Sequence, residues 1–199
     1  MSSVTLSISN GIATITLDNT AKQNALTPEM LSALGRILDE VEAEAGVRAV
    51  LLTSAGERFF CAGADINAWS GLSPQEFARI WVRGGHRLFD RLARLGKPTI
   101  AVLHGNAFGG GLELAAACDI RVMAPGAELA LPETGVGIVP GWSGTQRLMR
   151  LLPEPVVKEM ALFGRRLSAE RALALGFVAE VSGNPLETAT AIALRLAGT

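Results

Sequence analysis

The run from Pro98 to Leu103, followed by Gly109-Gly110-Gly111, constrains the fold more than any other stretch of the chain. The apolar run reads as a buried strand bounded by punctuation. His104 to Phe108 leads into the glycines, which open a small, apolar helix broken by one carboxylate, Glu113. Glycine at such a turn lets a backbone N–H approach a ligand closely, and the start of a helix adds partial positive charge. A lone carboxylate in an apolar helix costs free energy unless it is paired or used. The stretch therefore predicts a layered arrangement of sheet and helix with chemistry at a strand end.

The rest of the chain supports that architecture. Val4 to Ser9 and Ile12 to Leu17 alternate apolar and polar residues around Asn10-Gly11, a strong hairpin signal. Thr27 and Pro28 are placed to start a helix whose stripe is Met30, Leu31, Leu34, Ile37, Leu38 and Val41, ended by Gly46. Val47 to Thr53 returns as a strand, so a crossover and some parallel pairing follow. Ser73-Pro74-Gln75-Glu76 is a capping box that predicts a long helix toward Leu95, loosened at Gly84-Gly85. Ile120 to Met123 and Glu128 to Leu131 read as strands. A glycine-rich loop from Pro132 to Thr145 feeds helices at 146–152, 155–163, 169–175 and 186–197. No linker splits the chain, so residues 1–199 read as a single α/β domain.

Composition excludes several classes. Half of the residues (49%) are hydrophobic, enough for a substantial core, and the net charge is −1 with both signs mixed along the chain. There is no basic stripe for nucleic acid or for an acidic membrane surface, and no apolar run of spanning length. Cys61 and Cys118 are isolated, which argues against a disulfide framework or a metal site and reads as two small core residues. A cytoplasmic setting is expected. Met160 and Phe163 read as core, and His104 as structural. Trp69, Phe108 and Trp142 read equally as pocket walls or as core.

The glycine-rich loops do not fit nucleotide or hydrolase motifs. None supplies the Lys-Ser/Thr of a P-loop, Gly135-Val136-Gly137 has its next glycine at Gly141, and Gly141-Trp142-Ser143-Gly144 is not a nucleophile elbow. What remains is a pair of glycine-bounded turns and a pair of carboxylates. Ala62-Gly63-Ala64-Asp65 and Gly109-Gly110-Gly111 both follow strands and can place N–H groups on one crevice. Two such donors stabilise negative charge on a carbonyl oxygen. Glu113 lies one helical turn beyond Gly110, and Glu133 sits at a proline-fixed turn. Taken singly, Glu113 complements a helix start and Glu133 decorates a surface turn. Taken together, they suit proton transfer beside a carbonyl.

These residues also carry a resemblance. Phe60 to Ile66, Gly105 to Ala115, and Leu131 to Gly135 continuing through Pro140 to Leu148 resemble the crotonase (enoyl-CoA hydratase/isomerase) superfamily. Asn24-Ala25-Leu26 and Arg171 to Val178 extend the match, which runs in order from residue 4 to 181. The resemblance implies the ClpP/crotonase-like fold, a spiral of ββα repeats with a helical C-terminal part. It implies a homotrimer or dimer of trimers acting on an acyl-CoA, without a bound cofactor or metal; coenzyme A arrives as part of the substrate. It assigns the oxyanion hole to the N–H groups of Ala64 and Gly110, and catalysis to Glu113 and Glu133. Substrate and CoA contacts fall on Lys22, Asn24, Ala25, Ala62, Gly63, Asp65, Ile66, Asn67, Gly109 and Gly141. Both glutamates point to syn hydration of the 2,3 double bond of an enoyl-CoA. The alternatives are Δ3,Δ2-enoyl-CoA isomerisation, acyl-CoA hydrolysis or decarboxylation, or a non-catalytic acyl-CoA-binding subunit. The helical segment usual at the C-terminal end of the superfamily is expected to be shortened or missing.

Overall fold

The computed structural model describes residues 2–197. Strands β1 (Ser3–Ser9) and β2 (Ile12–Asp18) form an antiparallel hairpin, with Asn10 and Gly11 both at positive φ, as a tight two-residue turn requires. Helix α1 (Pro28–Ala43) begins where the Thr27 hydroxyl accepts the Met30 N–H at 3.3 Å. It buries Met30, Leu34, Ile37, Leu38 and Val41 and ends three residues before Gly46. Strand β3 (Ala49–Ser54) then pairs parallel to β2, as the crossover requires.

From there the chain winds as a spiral. Each turn gives one strand to a large sheet and the next to a small one, and then a helix. β3 is followed by β4 (Phe59–Cys61), the short α2 (Pro74–Glu76) and α3 (Arg83–Ala93). β5 (Thr99–Leu103) is followed by β6 (Asn106–Phe108) and α4 (Gly110–Ala116). β7 (Ile120–Met123) is followed by β8 (Glu128–Ala130) and α5 (Gly144–Leu151). The chain closes with α6 (Glu154–Phe163), β9 (Leu167–Ser168), α7 (Ala169–Ala174), β10 (Glu180–Val181) and α8 (Pro185–Ala197). The large sheet runs β1-β2-β3-β5-β7-β10 and the small one β4-β6-β8-β9. No helix among the described residues is long and apolar enough to cross a membrane.

The main core lies between the sheets and their helices, around Phe60, Phe89 and Phe177. A second apolar cluster covers the opposite face of the large sheet, where Ala189 and Ala193 of α8 pack on Leu51, Ile100 and Val102. Burial on both faces explains why β3 and β5 read as mostly apolar runs. Cys61 and Cys118 are free and buried. Phe163 does not join the core expected for it: at the end of α6 it is 82% exposed. The long helix expected from Ser73 is also interrupted. Its capping box forms, but residues Phe77–Val82 make a π-helical turn, one turn earlier than the glycines that were expected to loosen it. Such turns recur at functional sites.

Candidate active site

One cavity of about 580 Å³ opens at the strand ends between α3, α4 and the 132–144 loop. Its walls bring together Ala62, Gly63, Ala64, Ile66, Gly109, Gly110, Glu113, Glu133 and Gly141 from the expected set. The other walls are mainly apolar, including Trp69, Phe77, Trp81, Val139 and Trp142, with His86 and Gln146 as polar members. All three tryptophans of the chain therefore face this one site. Phe108 does not: its ring packs edge-on against Phe59, with centroids 5.4 Å apart.

The first donor is set by a short parallel bridge between Leu26 and Ala64. Gly63 O accepts the Leu26 N–H at 2.8 Å, and Asp65 N–H donates to Leu26 O at 2.9 Å. In extended chain the intervening N–H points the other way, so that of Ala64 is turned from the bridge toward α4. The second donor comes from the start of α4. Gly109 holds φ 51° and ψ −124°, and a Cβ there would lie 2.8 Å from Glu133 Oε1. Only glycine brings the backbone under that carboxyl. A Cβ on Gly111 would lie 2.2 Å from Cys61 O, so α4 and β4 touch backbone to backbone. The two amides are neighbours, since a Cβ on Gly110 would stand 3.5 Å from the Ala64 nitrogen. Among the described residues neither N–H donates to another backbone group. Both residues line the cavity, and the start of α4 adds its positive end there.

The two carboxyls line the same cavity. Glu113 is 2% exposed, and its Oε1 accepts the Trp142 N–H at 2.8 Å and the Gly144 N–H at 2.6 Å. Burial pushes its pKa up to about 7; the Gly144 and Trp142 amides and Arg147 pull it down, while Glu133 pushes it further up. Glu133 is 8% exposed, and its buried Oε2 has no hydrogen-bond partner among the described residues. Burial raises its pKa also, offset only by its own backbone N–H. One carboxyl is thus poised near neutrality with an oxygen held by amides. The other is largely buried, and its pKa also lies above the usual carboxylate range.

The remaining expected contacts lie off the cavity. Lys22 pairs with Asp65 at 2.7 Å, which holds the Asp65 carboxyl below its usual range, and Asp65 also accepts the Asn67 N–H at 3.1 Å. Asn24 is buried, and its amide donates to Ala55 O and Phe59 O at 2.8 and 2.9 Å. These bonds, with Ala62 N–H on Gln23 O, clamp the 23–26 segment and its Ala25 beside the Ala64 turn. Asn67 is exposed on the adjoining helical turn. His104 is off the cavity as well. Sequence reasoning missed His86 of α3, which lines the cavity, and Ser143, which bonds to it. A single histidine on an amphipathic helix carries no periodic signal that separates it from a solvated face.

Comparison with known proteins agrees with this geometry. The chain matches the enoyl-CoA hydratase/isomerase family over residues 7–197. It is 40% identical over 200 residues to a probable enoyl-CoA hydratase of Bacillus subtilis, covering 99% of this chain and 77% of that protein. It is 37% identical to the short-chain-enoyl-CoA hydratase of Clostridium acetobutylicum, covering 91% of this chain and 69% of the relative. The crystal structure of an enoyl-CoA hydratase from Bacillus anthracis superposes with a TM-score of 0.93 at 37% identity, over 98% of this chain and 77% of that one. By the family match over nearly the whole chain, the identity to these hydratases and the shared spiral fold, the chain belongs to the enoyl-CoA hydratase/isomerase family of the crotonase superfamily.

Proposed function

We propose that this enzyme adds water across the 2,3 double bond of an enoyl-CoA thioester, with Glu113 and Glu133 in divided roles. The observation that carries the reading is the pair of buried carboxyls facing two free N–H donors across one apolar cavity. The thioester oxygen would sit between the Ala64 and Gly110 amides, which take up charge as the enolate forms. Ionised Glu113, poised near neutral pH, takes a proton from water as the water oxygen bonds to C3. Protonated Glu133 delivers its proton to C2, and the electron pair returns from the thioester oxygen to form the new C–H bond. Proton exchange with solvent then resets both carboxyls.

The acyl chain would lie against Trp69, Phe77 and Trp81, and coenzyme A would enter as part of the substrate, with no bound cofactor. The CoA moiety would cross the 22–25 and 62–67 segments, whose mutual clamping supports that path. Assembly as a trimer or dimer of trimers belongs to the same reading, supported by exposed Leu162 and Phe163, an apolar step on α6 that another copy would cover. The free, buried cysteines support a cytoplasmic setting.

The test is loss of the enoyl thioester absorbance of crotonyl-CoA, with the product identified as the 3-hydroxy thioester. Hydration by the wild type and its collapse in Glu113→Ala and Glu133→Ala is the expected result. Full activity in both variants, or turnover without a water adduct, contradicts the proposal.

A further inference from the structure

Ser143 occupies a telling position. It lies between Trp142 and Gly144, the residues whose N–H groups hold Glu113 Oε1, and its backbone is left-handed at φ 76° and ψ 14°. A residue with a side chain gives up free energy in that region, where glycine does not. That conformation sets where the following N–H points, and successive amides in such a turn form an anion-binding concavity. Its hydroxyl is 2.6 Å from His86 Nδ1, and Ser143 is 5% exposed. His86 Nε2 stands 3.6 Å from Asp90, and Asp90 accepts from Arg147. A polar chain thus runs from the loop across α3 and back to α5. Trp142 adds another anchor: its indole donates to Trp81 O at 3.1 Å and fills the space over Gly85, where a Cβ would lie 2.2 Å from Nε1.

We propose that Ser143 and His86 form a latch that positions Glu113, fixing the 142–144 turn so that two amides converge on one carboxyl oxygen. The inference rests on the hydration reading and names two positioning residues for it. The Ser143 hydroxyl can donate or accept, so the link survives in either imidazole tautomer. Ser143 is not on the cavity wall and is no nucleophile toward the thioester, whereas His86 reaches the wall and ties α3 to the loop. The groups facing Glu113 besides the two amides are Glu133 and Arg147, and both are retained in the variants below.

The experiment compares wild type, Ser143→Gly, His86→Ala, His86→Gln and the Ser143→Gly/His86→Ala pair. Three quantities are read: the melting temperature, kcat and KM on crotonyl-CoA, and the Glu113 titration by 13C NMR of glutamate-labelled protein, assigned with Glu113→Gln. Ser143→Gly should keep or raise the melting temperature, because glycine adopts the turn freely. Its kcat should nonetheless fall roughly tenfold with KM little changed, as expected when a catalytic group is misplaced by less than 1 Å. The Glu113 midpoint should rise by about one pH unit as amide contacts loosen. His86→Ala should do the same, His86→Gln should recover part, and the pair should lose no more than either single change. Wild-type titration and kcat in Ser143→Gly would overturn the latch, as would thioester cleavage to free thiol that Ser143→Gly abolishes. If the wild type does not hydrate crotonyl-CoA, the hydration reading fails while the NMR titration still decides the latch.

Discussion

Glu113 and Glu133 share one cavity but are held in opposite ways. Glu113 projects from a helix anchored backbone to backbone on β4, and two amides from a distant loop hold one of its oxygens. Glu133 stands on a single 3-10 turn, Glu133–Val136, and its Oε2 has no partner among the described residues. Both are desolvated, so both lie above the ordinary carboxylate range. The amides make the difference: two from a distant loop stabilise the charged form of Glu113, whereas Glu133 has only its own backbone N–H. Burial raises both pKa values, and the preorganised donors on Glu113 leave it near neutral, where it can exchange a proton at pH 7.

The largest expected effect comes from removing each charge in turn. Glu113→Gln and Glu133→Gln should each lower kcat by roughly 10² to 10⁴ with the fold retained, measured on crotonyl-CoA. In the wild type kcat/KM should rise with pH through about 7 as Glu113 loses its proton. A profile already flat from pH 5 upward would break the contrast between the two carboxyls.

The same contrast predicts a stability profile. The folded-state pKa of Glu113 is raised from 4.5 to about 7, so its contribution is intact below pH 4.5 and is lost as pH rises through 7. That loss amounts to about 3 kcal/mol between pH 4.5 and 8. Urea unfolding at the two pH values should show it, and Glu113→Gln should flatten the difference. A smaller effect concerns the frame: Gly111→Ala must push α4 off β4 and should cost about 2 kcal/mol in the same assay. The smallest is Lys22→Ala, where an ion pair with a half-exposed lysine contributes under about 1 kcal/mol. Its effect should instead appear in KM, if Lys22 exchanges Asp65 for a CoA phosphate.

How much of this was legible depended on how local each signal is. The hairpin, α1 and the α4 start are specified by residues adjacent in sequence, through Asn10-Gly11, Thr27-Pro28 and the three glycines, and they form where expected. β6, β9 and β10 are two or three residues long, too short to show a period, and they pair only because the spiral brings them together. Both carboxyls could be named from their motifs, but not what distinguishes them. The amides on Glu113 come from residues 29 and 31 positions away, and a backbone N–H leaves no mark in the sequence. Phe163 was misjudged because an apolar residue in a helical period looks the same whether its face is buried or exposed.

The division of labour is tested most directly by hydrogen exchange at C2. A saturated acyl-CoA such as butyryl-CoA has no double bond to hydrate, so exchange of its C2 hydrogen in D2O asks only for the oxyanion donors and for the carboxyl that faces C2. NMR of the recovered thioester should show deuterium at C2 with the wild type and with Glu113→Gln, and none with Glu133→Gln. Exchange that survives in Glu133→Gln and disappears in Glu113→Gln would contradict the assignment.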